Sequence, residues 1–238
     1  MGQSYFIWKN KDCRSMGVKL AAPVPIIRPE ERVQHIQIPG RVGDLTLLEG
    51  QNIYNSYIQT ASIMVHGGRR IREVYDWLRG ADYVTFSGEP DRKQPARIIG
   101  AVTLNKHSHN LDWWEGEVQF YCQPLKEKIH EDAPMEVTTT GTTVRSSGDV
   151  DCYPMVLITA SASLVTVAMG GETILIQGLT DGNKYWLDNE NKVLLNYDKT
   201  EDLTLKTSGP FVKLTPGENI VQGNGWSKLE ITKRERFL

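Results

Sequence analysis

From Leu164 to the C-terminus the sequence is cut into short apolar segments, each closed by a turn signal, at a spacing of roughly ten residues. Leu164–Met169 and Glu172–Gln177 are joined by Gly170-Gly171, a two-residue loop free to take the positive φ angles of tight hairpin turns. Lys184–Asp188 and residues 192–197 flank Asn189-Glu190-Asn191, a second turn. Residues 203–206, 211–214 and 228–233 continue the series. Strands this short bury one face each, and many of them in succession satisfy that face by packing two sheets together. The rhythm therefore predicts a C-terminal β-sandwich.

The first half is also strand-rich. Residues 5–9 and 15–20 read as two short strands around a polar turn, Asn10-Lys11-Asp12. Residues 21–29 hold Pro23, Pro25 and Pro29. Proline cannot donate to a ladder, so this stretch reads as an edge, an arm or an extended connector. Residues 32–38 alternate and end at Pro39-Gly40, a turn signal. Residues 55–65 place Ile58, Thr60, Ser62 and Met64 on one side, with Tyr57, Ala61, Ile63 and Val65 near the other. Ile98, Gly100, Val102 and Leu104 face one way. Trp114, Gly116, Val118, Phe120 and Cys122 then alternate with Trp113, Glu115, Glu117, Gln119 and Tyr121, the pattern of a half-buried antiparallel strand. In that pattern Cys122 is a small buried hydrophobe.

One helix interrupts the strands. Ile71, Val74, Tyr75 and Leu78 fall on one face, and Gly80 stands where a C-cap glycine belongs, so the helix is expected over residues 69–79. Its start carries Arg69, Arg70 and Arg72, charges that oppose the helix dipole. These arginines read either as a partner surface or as solvated side chains beside Glu73 and Asp76.

Residues 124–154 are weakly hydrophobic, with Pro124, Pro134 and the threonine-rich run 138–143. This shift places a domain boundary near residues 128–135, giving domains 1–130 and 131–238. The threonine run is β-prone and is expected to open the second domain as its first strand. Charge divides in the same place. Residues 1–128 hold 17 Lys and Arg against 14 Asp and Glu, a net of +3, and the remainder holds 10 against 15, a net of −5. The overall charge of −2 carries no global signal for nucleic-acid binding.

Cys13, Cys122 and Cys152 are odd in number and widely spaced, which suits a reducing compartment rather than a disulfide framework. No charged segment leads an apolar run at the N-terminus, so no secretory signal is expected. The longest apolar stretches are strand-sized, so no membrane span is expected.

Catalytic chemistry leaves little trace. The sequence holds no GxSxG, HExxH, Walker A or GxGxxG pattern. His107-Ser108-His109 could put two imidazoles on one strand face, but a metal site needs further ligands, and His66 or Cys122 would have to converge on it. Asp181, Asp188, Glu190 and Asp198 cluster around turns, where turn chemistry accounts for them as well as hydrolytic carboxylate pairing does. Trp186 and Trp226 are either a sugar-stacking platform or sandwich packing. The tail Lys233-Arg234-Glu235-Arg236-Phe237-Leu238 is either a nucleic-acid contact or a closing strand pinned by Phe237. The reading is of a protein that is not an enzyme and uses no cofactor.

The opening strands, the segment 36–44 centred on Pro39-Gly40-Arg41-Val42-Gly43-Asp44, the helix ending in Trp77-Leu78-Arg79-Gly80 and the strands after it resemble the N-terminal domain of siphophage distal tail (Dit) proteins. Tyr185-Trp186-Leu187-Asp188, Leu214-Thr215-Pro216-Gly217-Glu218-Asn219 and the final Arg236-Phe237-Leu238 resemble the galectin-like domain of the same family in its compact two-domain form. The resemblance spans the chain and is strongest over residues 1–125. It implies a mainly β protein, with an N-terminal β-sandwich-like ring domain carrying one α-helix and a C-terminal galectin-like (jelly-roll) β-sandwich. It further implies a structural hub of the virion tail, assembled in the host cytoplasm. Six copies would form a ring joining the tail tube protein to the tail tip protein and receptor-binding proteins, with DNA passing through the central channel.

The candidate interface residues on this reading are Pro23, Pro25, Pro29, Arg41, Arg69, Arg70 and Arg72. The competing readings are a carbohydrate-binding module of an adsorption apparatus using Trp186 or Trp226, a cell-wall hydrolase, and a tube-like protein. Tube proteins are usually single-domain, and the second sandwich argues against that last reading.

Overall fold

The computed structural model describes residues 4–48, 50, 52–108 and 111–238. It is mainly β and divides into two compact units, one running to Ile129 with Leu238 added, the other spanning His130–Phe237.

The first unit contains β1 (Phe6–Trp8), β2 (Lys11–Asp12), β3 (Val18–Leu20), β4 (Val33–Ile36), β5 (Leu45–Leu48), β6 (Tyr57–His66), β7 (Ala81–Phe86), β8 (Arg92–Ser108), β9 (Leu111–Cys122) and β10 (Lys126–Lys128). Seven of them form one antiparallel sheet in the order β2-β1-β7-β8-β9-β6-β3, and β10 pairs with β8. The sheet coils strongly. Three strand steps separate β1 from β9, about 14 Å in a flat sheet. Yet Phe6 and Trp8 of β1 both meet the ring of Phe120 on β9 at 5.5 Å between centroids. A two-residue bulge in β8 between Ile99 and Thr103 relieves the strain of bending. An even insertion keeps the facing, so Val102 and Leu104 return to the core side on which Ile98 packs.

The alternation read from residues 55–65 is realised. Gln59, Ala61, Ile63 and Val65 point inward, and Ile58 is half exposed. The helix α1 (Ile71–Trp77) is preceded by a 3-10 turn, Gly68–Arg70. Val74, Trp77 and Leu78 are its buried face, whereas Tyr75 stays at the surface and takes a hydrogen bond on its hydroxyl from the Leu104 amide at 3.1 Å. The helix stops short of Gly80. Leu78 leaves helical geometry, its amide still reaching the Val74 carbonyl at 2.8 Å. Residues 15 and 16, expected in a strand, lie instead in a 3-10 turn, Cys13–Met16. Asp12 caps that turn by accepting from the Arg14 amide at 2.8 Å, and Ser15 Oγ donates back to the Asp12 carbonyl at 2.7 Å. Local side-chain bonds of this kind compete with strand pairing.

The second unit contains β11 (Met135–Val137), β12 (Thr142–Ser146), β13 (Met155–Ala160), β14 (Leu164–Met169), β15 (Glu172–Gln177), β16 (Lys184–Asp188), β17 (Val193–Asn196), β18 (Thr207–Ser208), β19 (Gly217–Asn224) and β20 (Trp226–Thr232). They form two five-stranded antiparallel sheets, β11-β20-β13-β16-β17 and β12-β19-β14-β15-β18. Val156, Ile158, Leu187, Leu194, Leu229 and Ile231 of one sheet meet Val144, Val165, Val167, Ile174, Ile176 and Val221 of the other in a single core. This is a β-sandwich.

The threonine run does not open it as one strand. Thr142 Oγ1 donates to the Thr139 carbonyl at 2.7 Å, which makes a turn between β11 and β12. Within residues 203–206, Thr204–Lys206 form a 3-10 turn, and the Asp202 carboxylate ahead of it accepts from the Thr204 amide at 2.8 Å. Residues 211–214 keep their buried Val212 and Leu214 but form no extended strand: Leu214 makes an isolated antiparallel bridge to Cys152, and the Val212 amide donates to the Asn189 side chain at 3.0 Å.

Candidate assembly surfaces

Residues 21–32 run extended from β3 to β4. Pro23 and Pro25 are exposed, Pro29 is buried, and Val24 packs on the core of the first unit. Beyond Pro29 the chain is clamped to its return path. The Arg32 amide donates to the Ile53 carbonyl at 2.9 Å, and the Asn55 amide to the Glu30 carbonyl at 2.8 Å. Above that clamp β4 and β5 form a two-stranded sheet that, among the described residues, takes in no other strand, in register from Val33 opposite Leu48 to Ile36 opposite Leu45.

This hairpin is apolar on both faces. Ile36, Leu45 and Leu47 lie on one face, and Val33 and Leu48 on the other. Ile36 is 41% exposed and Leu48 63%, and at the tip Val42 is fully exposed beside Arg41 and Asp44. An isolated two-stranded hairpin is marginal in water, and its outer edges present unpaired backbone groups. Such an arm is stabilised by a surface that covers it, at about 1.5–3 kcal/mol for each large apolar side chain fully buried.

Arg69, Arg70 and Arg72 are exposed on the 3-10 turn and the first turn of α1. Among the described residues none of them pairs with Glu73 or Asp76, and Asp76 pairs with Arg79 at 3.5 Å instead. The anion that serves the start of this segment comes from β9, where both carboxylate oxygens of Asp112 accept from the Gly68 amide, at 2.9 and 3.1 Å.

In the sandwich, the two tryptophans separate. Trp226 is 8% exposed and donates its indole N–H to the Thr166 carbonyl at 3.1 Å, so its ring belongs to the core. Trp186 is part-exposed. Its N–H donates to the Tyr197 carbonyl at 3.1 Å, and the Lys199 ammonium lies 4.8 Å from its ring centre. Next to it an open polar cleft of about 590 Å³ is lined by Asn183, Lys184, Tyr197, Asp198 and Glu201 among others.

The turn carboxylates are engaged structurally. Asp188 accepts from the amides of Glu190 and Asn191, both at 3.1 Å, and pairs with Arg234 at 2.9 Å. Burial pushes its carboxyl up, but the Asn191 and Arg234 hydrogen bonds outweigh this and hold it below its ordinary value. Glu190 pairs with Arg236 at 2.7 Å, and buried Glu235 accepts from the Ser147 amide and hydroxyl, both at 2.7 Å. The charges of the C-terminal tail are thus used to fasten it to the sandwich, and Phe237 is buried.

His107 pairs with Glu115 at 3.2 Å, and the His66 ring packs tilted against Trp113. His109 lies outside the described residues, and among those described no three His, Cys, Asp or Glu side chains are grouped to hold a metal ion. All three cysteines are free and buried, and desolvation raises each thiol, Cys122 to about 12 and Cys152 to about 11. No described helix is long and apolar enough to cross a membrane.

No protein-family model matches the chain, and no curated protein sequence matches it. Among solved structures it is similar to the crystal structure of the phage SPP1 Dit protein (gp 19.1), described as a paradigm of the hub adsorption apparatus in phages that infect Gram-positive bacteria. The two share 17% sequence identity, each is covered over 100% of its length, and the TM-score is 0.81. The chain has the Dit fold from end to end, which is the fold that the sequence resemblance implied.

Proposed function

We propose that this chain is a structural subunit of a phage tail hub, a hexameric ring that joins the tail tube to the tail tip and receptor-binding apparatus and leaves a channel for DNA. The observation that carries the proposal is the hairpin arm of β4 and β5. It carries exposed apolar side chains on both faces and, among the described residues, its strands join no other sheet, on a fold shared throughout with a hub protein. A cyclic assembly uses one patch on each subunit against a different patch on the next, and an arm seated on its neighbour is such a heterologous contact. The exposed prolines 23 and 25 sit at the root of this arm and limit its backbone freedom. Arg41 at its tip and Arg69, Arg70 and Arg72 on the helix segment are exposed cations that we assign to the subunit contacts.

The test is the mass and outline of the purified protein. A six-subunit particle with a central hole is expected, and deletion of residues 37–44 is expected to leave a folded monomer. A wild-type protein that stays monomeric at every concentration overturns the proposal.

A second reading, carbohydrate binding by the sandwich, has one supporting feature. Tyr197 is 52% exposed at the rim of the polar cleft beside Trp186, an aromatic face next to Asn183, Asp198 and Glu201. Glycan-array binding lost on Tyr197→Ala favours this reading, and an array without signal removes it.

A further inference from the structure

We propose that a cationic pocket on the first unit is the seat for the hairpin tip of a second copy of this chain, with Asp44 as its anion and Val42 as its apolar contact. This rests on the ring reading above and specifies the contact that closes it.

The pocket has a volume of about 300 Å³ and is lined by Arg14, Gly17, Lys19, His66, Arg70 and Trp113. Its walls come from the 3-10 turn after β2, from β3, from the end of β6, from the turn before α1 and from β9. Gly17 has φ 72°, and a Cβ there would collide with the Arg70 guanidinium, so the absent side chain is what lets Arg70 lie across the floor. Lys19 sits 5.5 Å from the centre of the Trp113 ring, and His66 packs on the same ring at 4.8 Å.

The charges do not balance. Arg14 has a partner, because Asp12 accepts from its Nε at 3.0 Å. Among the described residues no carboxylate pairs with Lys19 or Arg70. Two uncompensated cations converging with a histidine on one small cavity repel each other, and an anion entering between them gains from both. The presence of Trp113 adds a flat apolar wall that a bare ion would leave unused.

Of the two charged groups at the hairpin tip, Arg41 and Asp44, the second has the sign that complements the pocket. Val42 is fully exposed, and Asp44 two residues on is exposed and, among the described residues, unpaired. A valine against the Trp113 ring and a carboxylate between Lys19 and Arg70 fill both halves of the pocket at once. The tip and the pocket are built from different residues, so the contact joins unlike patches of two copies; repeated, it propagates, and it closes if the rotation allows.

The experiment mixes two single variants, Val42→Cys and His66→Cys, under oxidising conditions. The native cysteines are buried and give no background. A covalent dimer is expected from the mixture and from neither variant alone. Arg70→Glu and Asp44→Lys are each expected to raise the concentration at half-assembly about tenfold or more, and the double variant to recover most of that loss. If wild-type protein forms rings while the mixture gives no cross-link and the charge reversals leave assembly unchanged, this contact is wrong and the ring reading stands. If wild-type protein forms no oligomer, both fall together.

Discussion

Trp8 and Trp77 hydrogen-bond to each other's backbone. The Trp8 indole N–H donates to the Trp77 carbonyl at 3.1 Å, and the Trp77 indole N–H donates to the Trp8 carbonyl at 3.0 Å. Trp77 ends α1, where carbonyls lack helical partners, so the first bond satisfies one of them. Phe6 stacks on Trp77 with centroids 5.5 Å apart and completes the joint. Trp77→Phe keeps an aromatic ring, though a smaller one, but removes one donor, and about 1–3 kcal/mol of stability is expected to go with the lost hydrogen bond. Trp77→Ala is expected to cost about 3–5 kcal/mol. Chemical denaturation of the full chain followed by tryptophan fluorescence measures both, and equal stabilities for wild type and Trp77→Phe would refute the claim.

The hairpin glycines at 170 and 171 are predicted to differ although both have positive φ, 60° and 80°. A Cβ at Gly171 meets open space, so Gly171→Ala carries only the left-handed backbone cost of about 1–2 kcal/mol. A Cβ at Gly170 would collide with the Lys213 carbonyl oxygen, which is backbone and cannot swing away. Thermal melts should therefore rank Gly170→Ala well below Gly171→Ala.

Asp188 makes the sandwich acid-sensitive. Its folded-state pKa lies below the ordinary 3.8, so the unfolded chain binds the proton more readily. The stability it contributes is full above about pH 4 and is lost as pH falls through the folded value. At pH 7 Asp188→Asn is expected to cost about 1.5–3 kcal/mol, the range of hydrogen bonds to charged groups. That deficit should shrink as pH drops below 3.8. A deficit that does not change with pH would show that the charge is unimportant.

The cysteines should be silent in the native protein. With Cys122 near 12 and Cys152 near 11, and Cys13 raised as well, the thiolate is scarce at pH 8 and each sulfur is also shielded. A colorimetric thiol reagent is expected to read close to zero for folded protein and three thiols after unfolding in denaturant.

The two sandwich tryptophans are expected to part company on substitution. Trp226→Ala opens a core cavity and should cost about 3–5 kcal/mol. Trp186→Ala removes a part-exposed ring and a contact to Lys199, and is expected to cost less than half as much. Urea midpoints separate the two.

The sequence alone was enough wherever structure follows from neighbours in the chain. Gly170-Gly171 sets a two-residue turn, and the β14–β15 hairpin around it runs from Leu164 to Gln177 as read. The period-two pattern over Val118, Phe120 and Cys122 puts all three in the core, and the spacing of Ile71, Val74 and Leu78 marks the one helix. Tertiary structure decided what local pattern leaves open. Met155–Ala160 opens on four consecutive apolar residues with no period, and only its pairing between β20 and β16 makes it the central strand of its sheet. Whether Trp226 or Trp186 meets solvent depends on which sheet face each occupies, and the backbone carbonyls of Thr166 and Tyr197 that take their indole protons lie 60 and 11 residues away. The pocket of Arg14, Lys19, His66, Arg70 and Trp113 draws on segments up to about a hundred residues apart, brought together by the β3–β6–β9 ladder. Side-chain period is a property of one strand, whereas convergence of charge is a property of strand order, which no single segment encodes.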